Sequence, residues 1–405
     1  MAVTSRRRRI GSATLAVGVV LTLTAVSSAQ AATPSDTDTA EPAVRVHAAA
    51  ADDLADAASA RVAAMSVREQ AASVVMGHVP TSDPAALNAY MAATGIGGFI
   101  LMGANVPASE AELRAVTAAL TLDAALPPLI GIDQEGGDVS RLPWDDFAGA
   151  TTLKNEDPAA TRSAFAGRAA LLQRAGIGVN FGIVADVTGD PSMFIYRRAL
   201  GTTPDASAAR VAAAVEGESV EAMSTLKHFP GHGAAPGDSH SSLPAAGLSL
   251  QEWATTQAPS FQAGIEAGAP LLMFGHLVYS AIDPAPATMS AEWHRIAREQ
   301  LGFTGVAITD DLGMLQASGD AAYADPVANA VGALAAGNDM VLSVVYTNAQ
   351  SASTIVDGIV AAVEAGTLPA ERLQEAAERV TALRLELAAE GRGLPPCGDC
   401  APADG

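Results

Sequence analysis

Short apolar runs rich in β-forming residues recur along this chain, with Ala-rich stretches of helical spacing between them. Eight runs stand out, at residues 74–79, 98–102, 128–133, 178–184, 223–228, 270–276, 305–310 and 339–344. The stretches at 108–122, 206–217, 250–267 and 326–336 carry apolar residues at helical intervals, and each lies between two runs. Start signals agree with this division. Ser66-Val67-Arg68-Glu69 is a capping box that opens a helix toward Val75, and Asp325 precedes Pro326 as an N-cap precedes a first-turn proline. Alternation of strand and helix implies a parallel sheet. Eight such units predict a closed (β/α)8 TIM barrel, an α/β fold of one domain over residues 53–390. An open doubly wound sheet is the alternative. Gly95-Ile96-Gly97-Gly98, however, precedes its strand instead of following it, so it is no dinucleotide fingerprint, and no Gly-Lys-Ser or Gly-Lys-Thr phosphate loop occurs. The last helix, 370–387, starts after Pro369 and stops before Gly391, which leaves little chain for a second domain.

A barrel of this kind keeps its chemistry at the C-terminal ends of the strands, and the polar residues collect there. Asp133 ends the third run and Asp186 follows the fourth. Lys227 and His228 end the fifth, His240 lies on the loop beyond it, His276 ends the sixth, and Asp310 and Asp311 end the seventh. The densest stretch is Lys227-His228-Phe229-Pro230-Gly231-His232-Gly233 with Asp238-Ser239-His240, where Pro and Gly dictate a loop. Asp310 and Asp311 are neighbours on a strand and point to opposite faces, so only one of them faces a site.

Composition narrows the function. The chain has 405 residues, is 49% hydrophobic and carries a formal charge of −21. That charge argues against nucleic acid or an anionic membrane as partner and suits a soluble monomer. Arg6, Arg7, Arg8 and Arg9, an apolar stretch at 10–26 and Ala29-Gln30-Ala31 read as a signal peptide over 1–31, with no stable membrane anchor. Residues 32–52, rich in Ala, Thr, Asp and Pro, read as a disordered linker. The protein is therefore expected outside the cell, secreted or associated with the wall. Cys397 and Cys400, in the tail at 391–405, are expected to form a local disulfide there.

The motif at 227–240 resembles the signature of glycoside hydrolase family 3, in its β-N-acetylglucosaminidase (β-hexosaminidase) branch. Asp133-Gln134-Glu135-Gly136-Gly137 with Arg141-Leu142 is similar to the family's sugar-binding segment, the stretch from Asn180-Phe181 to Asp186 to its fourth strand, and Thr309-Asp310-Asp311-Leu312-Gly313-Met314 to its nucleophile segment. The resemblance implies a retaining exo-β-N-acetylglucosaminidase that releases terminal N-acetylglucosamine from cell-wall muropeptides or chitin-derived sugars, with no cofactor and no metal. It implies Asp310 as nucleophile, His240 paired with Asp238 as general acid/base, and Asp133, Arg141, Arg198, Lys227 and His228 as sugar-binding residues. Arg198 is carried by the loosest match, Tyr196-Arg197-Arg198-Ala199-Leu200-Gly201. His232 stays open between sugar contact and loop packing. Glu135 reads as holding the backbone of its Gly-rich turn, His276 as a support, and His47, His78 and His294 as structural or solvated.

The chemistry of the residue types supports those roles. Retaining hydrolysis needs a nucleophile on one face of the ring and a proton donor at the leaving oxygen. An imidazole with an intrinsic pKa near 6.5 suits proton donation followed by activation of water. Two positions depart from the family pattern: Asp138 stands where a basic residue is usual, and Ala234 where an acid is common. The rival readings are a phosphorylase or transglycosidase of the same fold, a zinc hydrolase using His228, His232, His240 and Asp310, and a non-catalytic wall-binding protein.

Overall fold

The computed structural model describes residues 40–393, with side chains from Asp52 onward. The signal-peptide reading, the side chain of His47 and the tail cysteines lie outside the described residues. The linker reading needs correction at its end. From Ala40 the chain is helical, in a helix Ala40–Ala63 whose Ala-rich sequence has high helix propensity.

Eight parallel strands follow: β1 Val75–Gly77, β2 Gly98–Leu101, β3 Leu129–Ile132, β4 Val179–Val184, β5 Met223–Phe229, β6 Leu271–Phe274, β7 Val306–Asp311 and β8 Met340–Leu342. Neighbours pair in sequence order, and β8 closes on β1 through Val75↔Val341 and Met76↔Leu342. Each strand lies inside the range marked by its apolar run, apart from one extra residue at the ends of β5 and β7. Those are the strands that carry Lys227 and Asp310.

Alternation along the strands separates two apolar environments. Met76, Ile100, Leu129, Val179, Met223, Leu271, Met273, Val306 and Ile308 fill the barrel, and Val380, Leu383 and Leu387 of the last helix, Ala370–Glu390, join that cluster. Residues of the other parity, such as Phe99, Ile130, Leu272 and Ala307, pack under the surrounding helices. The parity that sends Val306 and Ile308 inward sends Asp310 inward as well. Leu129 likewise sets Asp133, and Met223 sets Lys227. Register irregularities occur between Asn180 and Ile183 in β4 and between Leu226 and Phe229 in β5, just below the polar end.

The helix signals are realised. Ser66 and Glu69 form the capping box of Val67–Ser73, Asp325 caps Pro326–Ala336, and Ala370–Glu390 ends on Gly391 at φ 68°. The stretch 250–267, expected as one helix, is two: Leu250–Thr256 and Ala258–Glu266 meet at Gln257. Pro259 cannot supply the N–H that a continuous helix needs there. At the opposite end of the barrel, buried Asp339 receives Arg298, Arg372 and Arg379 at 2.5, 2.6 and 3.0 Å and the N–H of Ala307 at 2.9 Å. Among the described residues no helix is long and apolar enough to cross a membrane.

Candidate active site

A cleft of about 360 Å3 opens at the C-terminal ends of the strands. Of the residues expected to act, Asp133, Arg141, Arg198, Lys227, His228, His240 and Asp310 line it. They come from β5, β7 and the loops after β3, β4 and β5, so only the closed barrel brings them together.

One wall is a network of opposite charges. The ammonium of Lys227 lies 2.9 Å from Asp133 and 2.7 Å from Glu135. Arg198 grips Glu135 with both arms of its fork, at 2.9 and 2.6 Å, and Arg141 reaches Asp133 at 3.3 Å. Burial alone would raise the Asp133 carboxyl, but Lys227 and Arg141 outweigh it and bring it down to about 2. Burial works against the charge of Lys227, yet the two carboxylates hold it above the ordinary lysine value. Asp133, Glu135, Arg198 and Lys227 therefore stay charged across the neutral range and present fixed donors and acceptors to a polar ligand. Arg141 also keeps its Nε unpartnered among the described residues.

Local structure explains how this wall is placed. Gly136 and Gly137 adopt φ of 79° and 66°, which turn the chain sharply after Asp133. A side chain at Gly136 would also strike Arg168, whose Nη2 lies 2.1 Å from where a Cβ would be. Gln134 then anchors the turn from within. Its Oε1 accepts the N–H groups of Arg141 (2.8 Å) and Leu142 (3.0 Å), and its Nε2 donates to Ser140 and Asp145. Glu135 was expected to hold backbone. Instead its carboxylate bridges Lys227 and Arg198, because β5 and the loop after β4 bring those cations to it.

His228 donates Nδ1–H to Asp186 at 2.8 Å, and its Nε2 faces Arg198 at 3.4 Å. Burial, together with the charge of Arg198, holds it well below the ordinary histidine value, so the ring is neutral. Asp186, raised to about 6 by burial, also accepts the N–H of His232 at 2.5 Å. His232 itself does not line the cleft. It is buried behind it, with Nε2 3.2 Å from Ser239. The sugar-contact reading of His232 gives way to loop packing, because Pro230-Gly231 turn the chain so that its ring lies under Ser239.

Asp310 sits in the cleft with Oδ1 2.8 Å from the N–H of Asp311. Burial would raise its carboxyl, but His228, His276, that N–H and Lys227 bring it below the ordinary aspartate value. Both histidines are themselves held neutral by burial, so the lasting stabilisation comes from the Asp311 N–H and the Lys227 charge. Asp311 points the other way. It caps Leu312–Ala317 through Gly313 N–H (3.0 Å) and accepts the N–H groups of Val344 (2.8 Å) and Val345 (2.9 Å). His276 is buried and lies 2.8 Å from the Asp311 carbonyl.

At the rim, His240 places Nδ1 2.6 Å from Asp238, whose Oδ1 also accepts the His240 N–H at 2.9 Å. This pair is half exposed, at 58% and 46%, so the second ring nitrogen is accessible to a group arriving from solvent. Phe194, which the sequence reading did not single out, meets His240 edge-on at 5.6 Å. Its only sequence signal is its place two residues before Tyr196-Arg197-Arg198. Asp138, the departure from the family pattern, pairs with exposed Arg197 at 2.6 and 2.8 Å. It leaves Arg141 to Asp133. His78 and His294 are buried against Ile100 and Phe274, away from the cleft. Among the described residues no three His, Cys, Asp or Glu side chains converge as a metal set. His228, His232 and His240 each turn to a different partner.

Comparison with known proteins places this arrangement. The model of the glycosyl hydrolase family 3 N terminal domain matches residues 66–383. A beta-hexosaminidase of Stenotrophomonas maltophilia (strain K279a) is 36% identical over 231 residues, which are 54% of this chain and 68% of that protein. Among solved structures, a glycoside hydrolase family 3 beta-N-acetylglucosaminidase from Paenibacillus sp. str. FPU-7 superposes with a TM-score of 0.75 at 27% identity, over 84% of this chain and 64% of that one. The chain thus spans a little under two thirds of that protein. A beta-N-acetylhexosaminidase from Beutenbergia cavernae DSM 12333 gives 0.68 at 29% identity, over 81% of this chain and 99% of that one. The shared barrel, and a family match that takes in every residue of the cleft, lead to one conclusion: the chain belongs to glycosyl hydrolase family 3.

Proposed function

We propose that this protein is a retaining exo-β-N-acetylhexosaminidase that releases N-acetylglucosamine from the non-reducing end of its substrates. The observation that carries the reading is the pairing within one cleft of an ionised, inward-facing Asp310 with the Asp238–His240 pair at the rim. Asp310 attacks the anomeric carbon, and the bond to the leaving oxygen breaks as His240 gives it a proton. Asp238 orients the imidazole and stabilises its charged form. In the second step neutral His240 takes a proton from water, which displaces Asp310 and regenerates the carboxylate. Asp133, Lys227, Arg141 and Arg198 hold the hydroxyls of the terminal sugar, and their dense charge suits a blind, exo-acting pocket. The N-terminal arginines, apolar stretch and Ala29-Gln30-Ala31 support export, with cell-wall muropeptides or chitin-derived sugars as the substrates met there.

The test is hydrolysis of p-nitrophenyl N-acetyl-β-glucosaminide against the corresponding glucoside. Preference for the acetamido sugar and loss of at least about 10³-fold activity in Asp310→Ala are expected. Equal rates on both glycosides, or an active Asp310→Ala protein, contradict the reading. Running the assay with and without inorganic phosphate identifies the acceptor, since hydrolysis gives free sugar and phosphorolysis a sugar phosphate.

A further inference from the structure

Gln134 stands between the two carboxylates that hold Lys227. Asp133 and Glu135 reach that ammonium at 2.9 and 2.7 Å, and alternation turns the Gln134 side chain outward between them. The main chain of Gln134 is therefore the handle by which both carboxylates are aimed. We propose that Asn180 is a positioning residue for sugar binding: from outside the barrel it holds that main chain, and Glu218 holds Asn180. The proposal rests on Asp133 and Lys227 being the groups that hold the terminal sugar.

The sheet explains why a side chain is needed there. β3 pairs with β4 through Gly131↔Val179 and Ile132↔Asn180, and the ladder stops at that point. Two residues on, Gln134 is fully buried, and a buried peptide group needs partners. The Asn180 amide supplies both. Its Oδ1 accepts the Gln134 N–H at 3.1 Å, and its Nδ2 donates to the Gln134 carbonyl at 3.0 Å. The side chain of Asn180 thus continues the pairing that the backbone of β4 leaves off. β4 makes room for it. Its register with β5 shifts between Asn180 and Ile183, and a Cβ added at Gly182 would lie 2.3 Å from Asn180 Nδ2 and 2.7 Å from the Gln134 carbonyl oxygen.

The chemistry of the contact is specific to an amide, which offers a donor and an acceptor in one plane as a peptide group does. Turned over, it would set oxygen against the Gln134 carbonyl and N–H against N–H. Glu218 fixes the productive orientation from behind. It is fully buried at the end of helix Pro204–Glu218 and accepts from Asn180 Nδ2. Burying a carboxyl is costly unless it is bonded, and here the bond is to Asn180. Asp310 stands on β7, which neighbours neither β3 nor β4. The contact therefore bears on how the sugar is held and leaves the step at Asp310 alone.

The experiment measures KM and kcat for p-nitrophenyl N-acetyl-β-glucosaminide in three variants. Asn180→Asp keeps an acceptor for the Gln134 N–H but removes the donor to its carbonyl. Glu218→Met removes the acceptor behind Asn180, and Glu218→Gln keeps one. KM is expected to rise about tenfold in Asn180→Asp and about threefold in Glu218→Met, with kcat within about threefold of the wild type, while Glu218→Gln restores the wild-type KM. An unchanged KM in Asn180→Asp, or a Glu218→Gln protein as impaired as Glu218→Met, overturns the proposal. So does a loss confined to kcat. If Asn180→Asp does not fold, the two Glu218 variants carry the comparison. If the wild type hydrolyses no glycoside, the catalytic reading fails by itself. Amide hydrogen exchange over residues 133–142 then decides the positioning without turnover. Faster exchange in Glu218→Met than in Glu218→Gln supports it, and equal exchange overturns it.

Discussion

Glu218 is a carboxyl held out of water. It is fully buried at the end of helix Pro204–Glu218, bonded to the amide of Asn180, with Oε2 unpartnered. Burial raises its carboxyl to about 8, against the opposing effects of Asn180, Arg168 and Lys227. The folded value thus lies above the ordinary 4.5. The folded state favours the protonated form, so its contribution is fully present below pH 4.5 and is lost as pH rises toward 8. Glu218→Gln should therefore melt at a higher temperature than the wild type at pH 8, by up to a few kcal/mol of stability, and at nearly the same temperature at pH 5. Thermal melts at the two pH values check this, and a wild-type advantage at pH 8 would contradict it. The other prediction at this scale concerns His240, which matters in proportion to how much the leaving group needs a proton. His240→Ala should lose about 10²-fold or more on chito-oligosaccharides and far less on p-nitrophenyl glycosides. Equal losses on both would contradict an acid role.

The turn after β3 shows why one element resists reading from sequence while its neighbour yields to it. Asp310 was legible in two steps: two adjacent acids ending an apolar strand must face opposite ways, and the family resemblance chose Asp310, with which the inward parity of Val306 and Ile308 agrees. The eight strands were legible for the same reason, because each buried run must satisfy its backbone in a ladder. Gln134 and Glu135 were not. Their partners come from distant elements: Asn180 lies 46 residues on and Arg198 63 residues on from the groups they meet. No periodicity encodes such a meeting. His232 was ambiguous because a loop has no parity, and only the path after Gly231 shows its ring buried. Gln134 orders the backbone of Arg141 without lining the cleft. Gln134→Ala should therefore raise KM for the aryl glycoside about tenfold or more, with a smaller change in kcat. A kcat loss at constant KM would show that the turn serves something other than sugar binding.

Taken as a whole, the molecule divides its ionic groups between two ends of one barrel. The C-terminal end holds the charges that line the cleft, and the N-terminal end holds Asp339 beneath three arginines. Asp339→Asn leaves those cations facing one another without their anion. It should cost about 3–5 kcal/mol of stability, read as a lower denaturation midpoint, while KM for the aryl glycoside stays within about twofold. A raised KM would mean that the two ends communicate. The loop that carries Asp238 and His240 belongs to neither end's ledger of strands. Tyr279 holds its start through a hydroxyl on the Gly231 carbonyl at 2.5 Å, and holds its finish through the short ladder of Ala245–Ala246 with Val278–Tyr279. One tyrosine therefore touches both ends of the arm, whose start is also tied down by the His232 N–H on Asp186. Its length and composition can be rewritten without re-registering a barrel strand, so the segment that presents Asp238 and His240 can vary, or be engineered, separately from the framework that positions Asp310.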